Sequence, residues 1–89
     1  MKYSVRYVHK IAPSPKDVGH NIEMLGQDLA DRVRDRDLTG LAAILRNMEV
    51  MISGCRIREA RVEDGKIIVF PVCPGLSTYW HSIILTPII

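Results

Sequence analysis

REARVEDGKIIVFPV, residues 58 to 72, decides how the rest of the chain is read. Asp64-Gly65 stands between two apolar-rich flanks, which is the strongest short-range signal for a two-residue β-hairpin. Such a turn pairs Glu63 with Lys66, Val62 with Ile67, Arg61 with Ile68, Ala60 with Val69 and Glu59 with Phe70. One face of the hairpin then carries Val62, Ala60, Ile67 and Val69, the expected core. The other carries Glu59, Arg61, Glu63 and Lys66 beside a line of Ile68, Phe70 and Val72. Because side chains alternate along a strand, a slip of one residue would exchange the two faces.

Upstream of the turn, Cys55 and Ile57 are in one phase and Ala60 and Val62 in the other. A β-bulge near Arg58-Glu59 reconciles them. Downstream, Pro74-Gly75 makes the next turn, and Ser77 to Thr86 reads as the last strand, ending in the apolar tail Thr86-Pro87-Ile88-Ile89. At the other end of the chain, residues 2 to 11 alternate. Tyr3, Val5, Tyr7 and Ile11 fall on one face and Lys2, Ser4, Arg6 and Lys10 on the other, the pattern of a half-buried strand.

Between these strands the period changes. Ser14 is a good helix N-cap, Pro15 suits the first helical position and Asp17 favours the positive end of the dipole. Val18, Ile22, Leu25, Leu29 and Val33 then recur at steps of three and four, which predicts a helix to about residue 35. RVRDRDLTG is a charged connection with Asp35 or Asp37 as the cap of a second helix and Thr39 as a later choice. Leu41, Leu45, Met48 and Ile52 form the stripe of that helix, with Gly54 as its stop. The expectation is one α+β domain over residues 1–89: a four-stranded, mostly antiparallel sheet in the order β-α-α-β-β-β, with both helices on one face.

Eighty-nine residues, 47% hydrophobic and 25% charged, have the composition of an ordinary globular domain. A chain of this size buries roughly 60–70% of the surface it exposes when unfolded, enough for one thin core. The net charge of +2 neither demands nor excludes a nucleic-acid partner, because distribution matters more than total. Cys55 and Cys73 are too few for a disulfide framework, and neither sits in a C-x-x-C, so they read as two buried, reduced thiols of a cytoplasmic protein. MKYSVRYVHK is not a signal peptide, and no apolar run approaches the ~20 residues that span a bilayer.

No catalytic constellation emerges. His9, His20 and His81 are scattered, and with the two cysteines they lack the local spacing of a metal site or a Cys–His nucleophile pair. No Gly-rich loop has phosphate-binding spacing. Asp28, Asp31, Asp35 and Asp37 interleave with Arg32, Arg34 and Arg36, which predicts a solvated, salt-bridged helix face. The reading is therefore a non-enzyme, with no cofactor, no metal, no membrane and no identifiable small-molecule substrate.

Two coverings suit the second hairpin face. It is either buried within the chain, by the tail or a helix, or it docks a partner. In the second case Ile68, Phe70 and Val72 form the strip and Glu59, Arg61 and Lys66 its rim. The partner is another protein or a second copy of this chain. In length, compactness and want of an enzymatic motif the chain resembles the small phage- or mobile-element-encoded inhibitors of bacterial complexes, anti-CRISPR proteins among them. That resemblance carries no residue with it. It implies a non-catalytic antagonist working in a host cytoplasm.

The alternative runs through Arg56, Arg58 and Arg61, the best basic cluster, which suits phosphates. The order of a strand, a helical hairpin and an antiparallel run of strands resembles the RelE/ParE toxin fold over nearly the whole chain. The resemblance implies action on RNA or gyrase, with those arginines and His81 as the candidate groups. Toxins of that type carry basic residues on their late strands; here Ser77 to Ile89 has no Lys or Arg.

Overall fold

The computed structural model describes residues 2–9, 16–23, 28–51, 53–73 and 80–88. Five strands and two helices follow in the order β1 (Lys2–His9), β2 (Lys16–Glu23), α1 (Asp28–Arg34), α2 (Leu38–Asn47), β3 (Arg56–Glu63), β4 (Lys66–Val72) and β5 (Trp80–Ile88). The α+β class, the antiparallel sheet, the helical hairpin and the four expected strands are all present, in the expected sequence order. A fifth strand joins them. The sheet runs β2-β1-β5-β4-β3, every neighbour antiparallel.

The added strand is a correction. Lys16–Glu23 was expected as the first half of a helix and instead pairs with β1, Lys2 opposite Glu23 and Val5 opposite His20. Val18 and Ile22 satisfy a strand's alternation as well as a helix's stripe, and Gly19 weakens the helical alternative. An otherwise unpaired edge of β1 gains a partner, and this tertiary gain decides between two locally balanced states. Among the described residues of the expected helix, Asp28–Arg34 is helical, with Leu29 completely buried and Val33 packed on the core. The expected cap at Ser14-Pro15, Leu25, Ile52 and the Pro74-Gly75 turn lie outside the described residues.

The hairpin at Asp64-Gly65 has the expected register throughout: Glu63 to Lys66, Val62 to Ile67, Arg61 to Ile68, Ala60 to Val69 and Glu59 to Phe70. Both turn residues have positive φ, 51° and 76°, as the turn best matched to strand twist requires. The bulge falls where the phase change placed it, between Ile57 and Glu59. β5 is central. Leu85 lies opposite both Val5 and Ile67, and Ile83 opposite both Tyr7 and Val69. The apolar tail is therefore not a cover for the second face, because Thr86 to Ile88 continue β5 and pair with β1. Val62, expected in the core, is half exposed at the sheet edge.

The core lies between the sheet and the two helices: Tyr3, Val5, Ile67, Val69, Ile83 and Leu85 meet Leu29, Leu41 and Leu45. Val50 and Met51 follow α2 into the same cluster. The Tyr7 hydroxyl donates to the Val50 carbonyl, tying β1 to this segment. Burial raises the pKa of that hydroxyl, so it remains a donor at neutral pH.

Both helices end in the same closure. After α1, Asp37 N–H bonds the Arg32 carbonyl and Arg36 N–H the Val33 carbonyl. After α2, Val50 N–H bonds Leu45 and Glu49 N–H bonds Arg46. In each case the residue at positive φ, usually glycine, is charged: Arg36 at 57° and Glu49 at 61°. α2 thus stops at Asn47, short of the expected Ile52, and Gly54 plays no part in stopping it.

Asp37 closes α1 and also caps α2. Its carboxylate accepts from Gly40 N–H at 3.0 Å and from Arg32 at 2.6 Å. A Cβ on Gly40 would come within 2.3 Å of that carboxylate, which is why glycine stands in the first turn of a helix. The Gly40 N–H, and after it the Arg32 guanidinium, hold the Asp37 pKa below its ordinary value. A carboxylate whose pKa is depressed by folding stabilises the fold above its unfolded pKa. That contribution disappears as pH falls through the folded value. Asp37→Asn is expected to lack this part of the acid transition in urea unfolding measured against pH. An identical pH dependence in the two proteins would show that the cap does not titrate with folding.

Candidate functional site

The two faces of the sheet differ. The described helices cover one. On the other, β1 presents Lys2, Ser4, Arg6 and Val8, β5 presents Ser82, Ile84, Thr86 and Ile88, and the β3–β4 hairpin presents its charged and apolar line. One transverse row reads Arg6, Ile84, Ile68, Arg61 from β1 across β5 and β4 to β3. An apolar centre is thus bounded by a guanidinium on each side. Arg6, Arg56, Arg58, Arg61, Lys2 and Lys66 are all exposed there; Glu59 and Glu63 stand among them on the hairpin, and in β2 Asp17 and Glu23 stand in register opposite Arg6 and Lys2. Arg61 and Glu63 form an ion pair at 3.3 Å, and the positive excess lies on the hairpin side, at Arg56, Arg58 and Lys66.

The structure brings Ile68, Phe70 and Val72 onto this face as expected, but not as three equal contacts. Phe70 is only 6% exposed. It lies outside the main core and is covered by its neighbours instead. The guanidinium carbon of Arg61 lies 5.0 Å from the ring centroid and that of Arg58 lies 5.5 Å away. His81 meets the ring edge-on, with centroids 5.6 Å apart. Cations over an aromatic face are attracted by its quadrupole, so the bulge that projects Arg58 also closes over Phe70. Part of the second face is therefore buried by its own charged rim. Ile68, Val72 and Ile84 remain half-buried and supply the open apolar surface.

Of the alternative basic cluster, Arg58 and Arg61 share Phe70, and Arg56 lies opposite Val72 on the same face. His81 Nδ1 is 3.4 Å from the buried Ser82 Oγ. Among the described residues no three of His, Cys, Asp and Glu are grouped as a metal would need, and no helix is long and apolar enough to cross a membrane. The interleaved acids and arginines of α1 form exposed ion pairs, Asp31 with Arg34 at 2.7 Å and Asp37 with Arg32 at 2.6 Å.

Cys55 and Cys73 are joined in a disulfide, which corrects the expectation of two thiols. With one extra residue at the bulge, the pairs run Ile57 to Pro71 and Arg56 to Val72, and the next positions are the two cysteines. Arg46 of α2 donates to the Cys55 carbonyl at 2.7 Å, anchoring that end of the hairpin to the helices. Sequence reading also missed Ile84, Arg6 and Lys2 as members of the face. Their alternation was visible, but β5 as the common neighbour of β1 and β4 was not.

No family model matches the chain, and no curated protein or solved structure matches it either.

Proposed function

We propose that the chain is a non-catalytic protein-binding module whose sheet face opposite the described helices docks on an acidic surface of a partner protein. The observation that carries the reading is the row Arg6–Ile84–Ile68–Arg61, an apolar centre flanked by guanidinium groups, with the further cations Arg56, Arg58 and Lys66 on its hairpin side. Apolar contact supplies area, and the rim selects the partner's charge. Lys66, Glu59 and Val72 extend the same patch, and Phe70 serves as its buried support. Masking a partner's surface is how a small inhibitor without reactive groups acts, the role its size and character resemble. Of the grounds for a cytoplasmic placement, the disulfide removes the free thiols; a Cys–Cys bond of this kind also suits an oxidising compartment.

Protein binding is favoured over nucleic acid because Phe70, the described aromatic on this face, is shielded by Arg58 and Arg61 and offers no base a stacking surface. Self-association would appear as a concentration-dependent mass in light scattering.

Ile68→Asp is the direct test, since Ile68 is half-buried and lies outside the main core. Affinity capture with the wild-type chain should retain partners that the variant loses, at equal thermal stability of the two. If both retain the same proteins, or nuclease treatment abolishes retention, the docking reading fails.

A further inference from the structure

We infer that the edge of β3 is a second binding site, adjoining the sheet face and sharing Arg56 and Arg58 with it, which takes an extended acidic peptide as an added strand. β3 ends the sheet, so one side of its backbone has no strand partner among the described elements. α2 runs beside it and leaves a groove between helix and strand. Two adjoining hollows share Leu38. One of about 340 Å³ is lined by Arg36 and Arg58, and one of about 260 Å³ by Arg46 and Arg56. The floor is apolar, from Leu38, Ala42 and Ile57.

The four arginines are arranged in two pairs. Arg36 and Arg46 come from the helical side. Arg56 and Arg58 come from the open sheet side, where they line a further hollow with Val72. Glu59 is the one carboxylate among the residues lining these hollows. A peptide laid along β3 sends successive side chains to opposite sides. Neighbouring acidic residues would therefore meet one arginine pair each, and backbone pairing with the edge would fix their register. The positive φ of Arg36 places its side chain at this groove, at a position where glycine would be easier.

A fluorescein-labelled short peptide of Thr and Val carrying two pairs of adjacent Glu, titrated against the full disulfide-bonded chain, tests the site. Binding followed by anisotropy should weaken about tenfold in Arg36→Gly, the scale of one charge-assisted hydrogen bond, while that change relieves rather than strains the backbone. Arg34→Ala, an exposed cation of α1 that lines none of these hollows, should leave affinity unchanged. A peptide N-methylated at alternate residues, with the same charges, should bind at least tenfold more weakly. Equal binding of the N-methylated peptide, or no loss in Arg36→Gly, would overturn strand addition. So would tighter competition by a single-stranded oligonucleotide. Ile68→Asp separates this site from the sheet face: it should abolish partner capture and spare the peptide, and loss of the peptide in that variant would place it on the face instead.

Discussion

Leu85→Ala is expected to lower the free energy of unfolding by about 2–5 kcal/mol, the range for emptying a fully packed site. Leu85 has no solvent exposure and stands opposite both Val5 and Ile67 on the central strand. Its side chain thus packs in the layer that joins the N-terminal strands to the hairpin, beneath the helices. The strands on both sides are hydrogen-bonded in register and have little freedom to collapse into the vacated volume. Against a total stability of roughly 5–15 kcal/mol for a domain, the loss is large enough to leave part of the population unfolded at body temperature. Urea unfolding followed by tryptophan fluorescence measures it. A cost under about 1 kcal/mol would mean that this layer is not close-packed.

Breaking the Cys55–Cys73 disulfide comes next, at about 3 kcal/mol for a closed loop spanning 18 residues. The comparison is the oxidised chain against Cys55→Ala/Cys73→Ala, with alkylation and mass measurement reporting the state of the thiols. Both cysteines are almost wholly buried, so in the folded chain they are slow to meet a reductant. An unfolding midpoint that does not move, or free thiols in protein prepared under oxidising conditions, would refute the clamp. The site makes a further demand on it, because Arg56 and Arg58 leave the backbone just beyond Cys55. Their positions are held by the hairpin's closed end, together with the Arg46 bond to the Cys55 carbonyl.

The hairpin was legible in the sequence because its information is local. A turn that demands positive φ at two positions fixes register, and register fixes which residues share a face. The bulge was legible for the same reason. The disulfide followed from both: adding one residue at the bulge and counting two pairs further sets Cys55 opposite Cys73. Composition alone, two cysteines outside any C-x-x-C, points to thiols instead, and only the register sets them face to face. Lys16–Glu23 was not legible. Its apolar residues fit either period, and the deciding partner, the free side of β1, lies in another part of the chain. For the same reason Arg36 and Arg46 could not be assigned to a site with Arg56 and Arg58. Their meeting depends on the packing of α2 beside β3, which no local pattern encodes. Phe70 illustrates the intermediate case: its face was correct, but its accessibility depended on where the arginines folded.

Among the described residues the ladder between β4 and β5 spans three residue pairs, Ile67 to Val69 with Leu85 to Ile83, and Pro71, which has no N–H to give, lies just beyond it. The β3–β4 segment is meanwhile closed at both ends, by a tight turn and by a covalent bond. It is in effect a macrocycle riveted to a three-strand platform along a short seam. Such a part is modular. Its outward residues can be rewritten so long as Ile57, Ile67 and Val69, which pack under the helices, are kept, while the platform keeps its own hydrogen bonding intact.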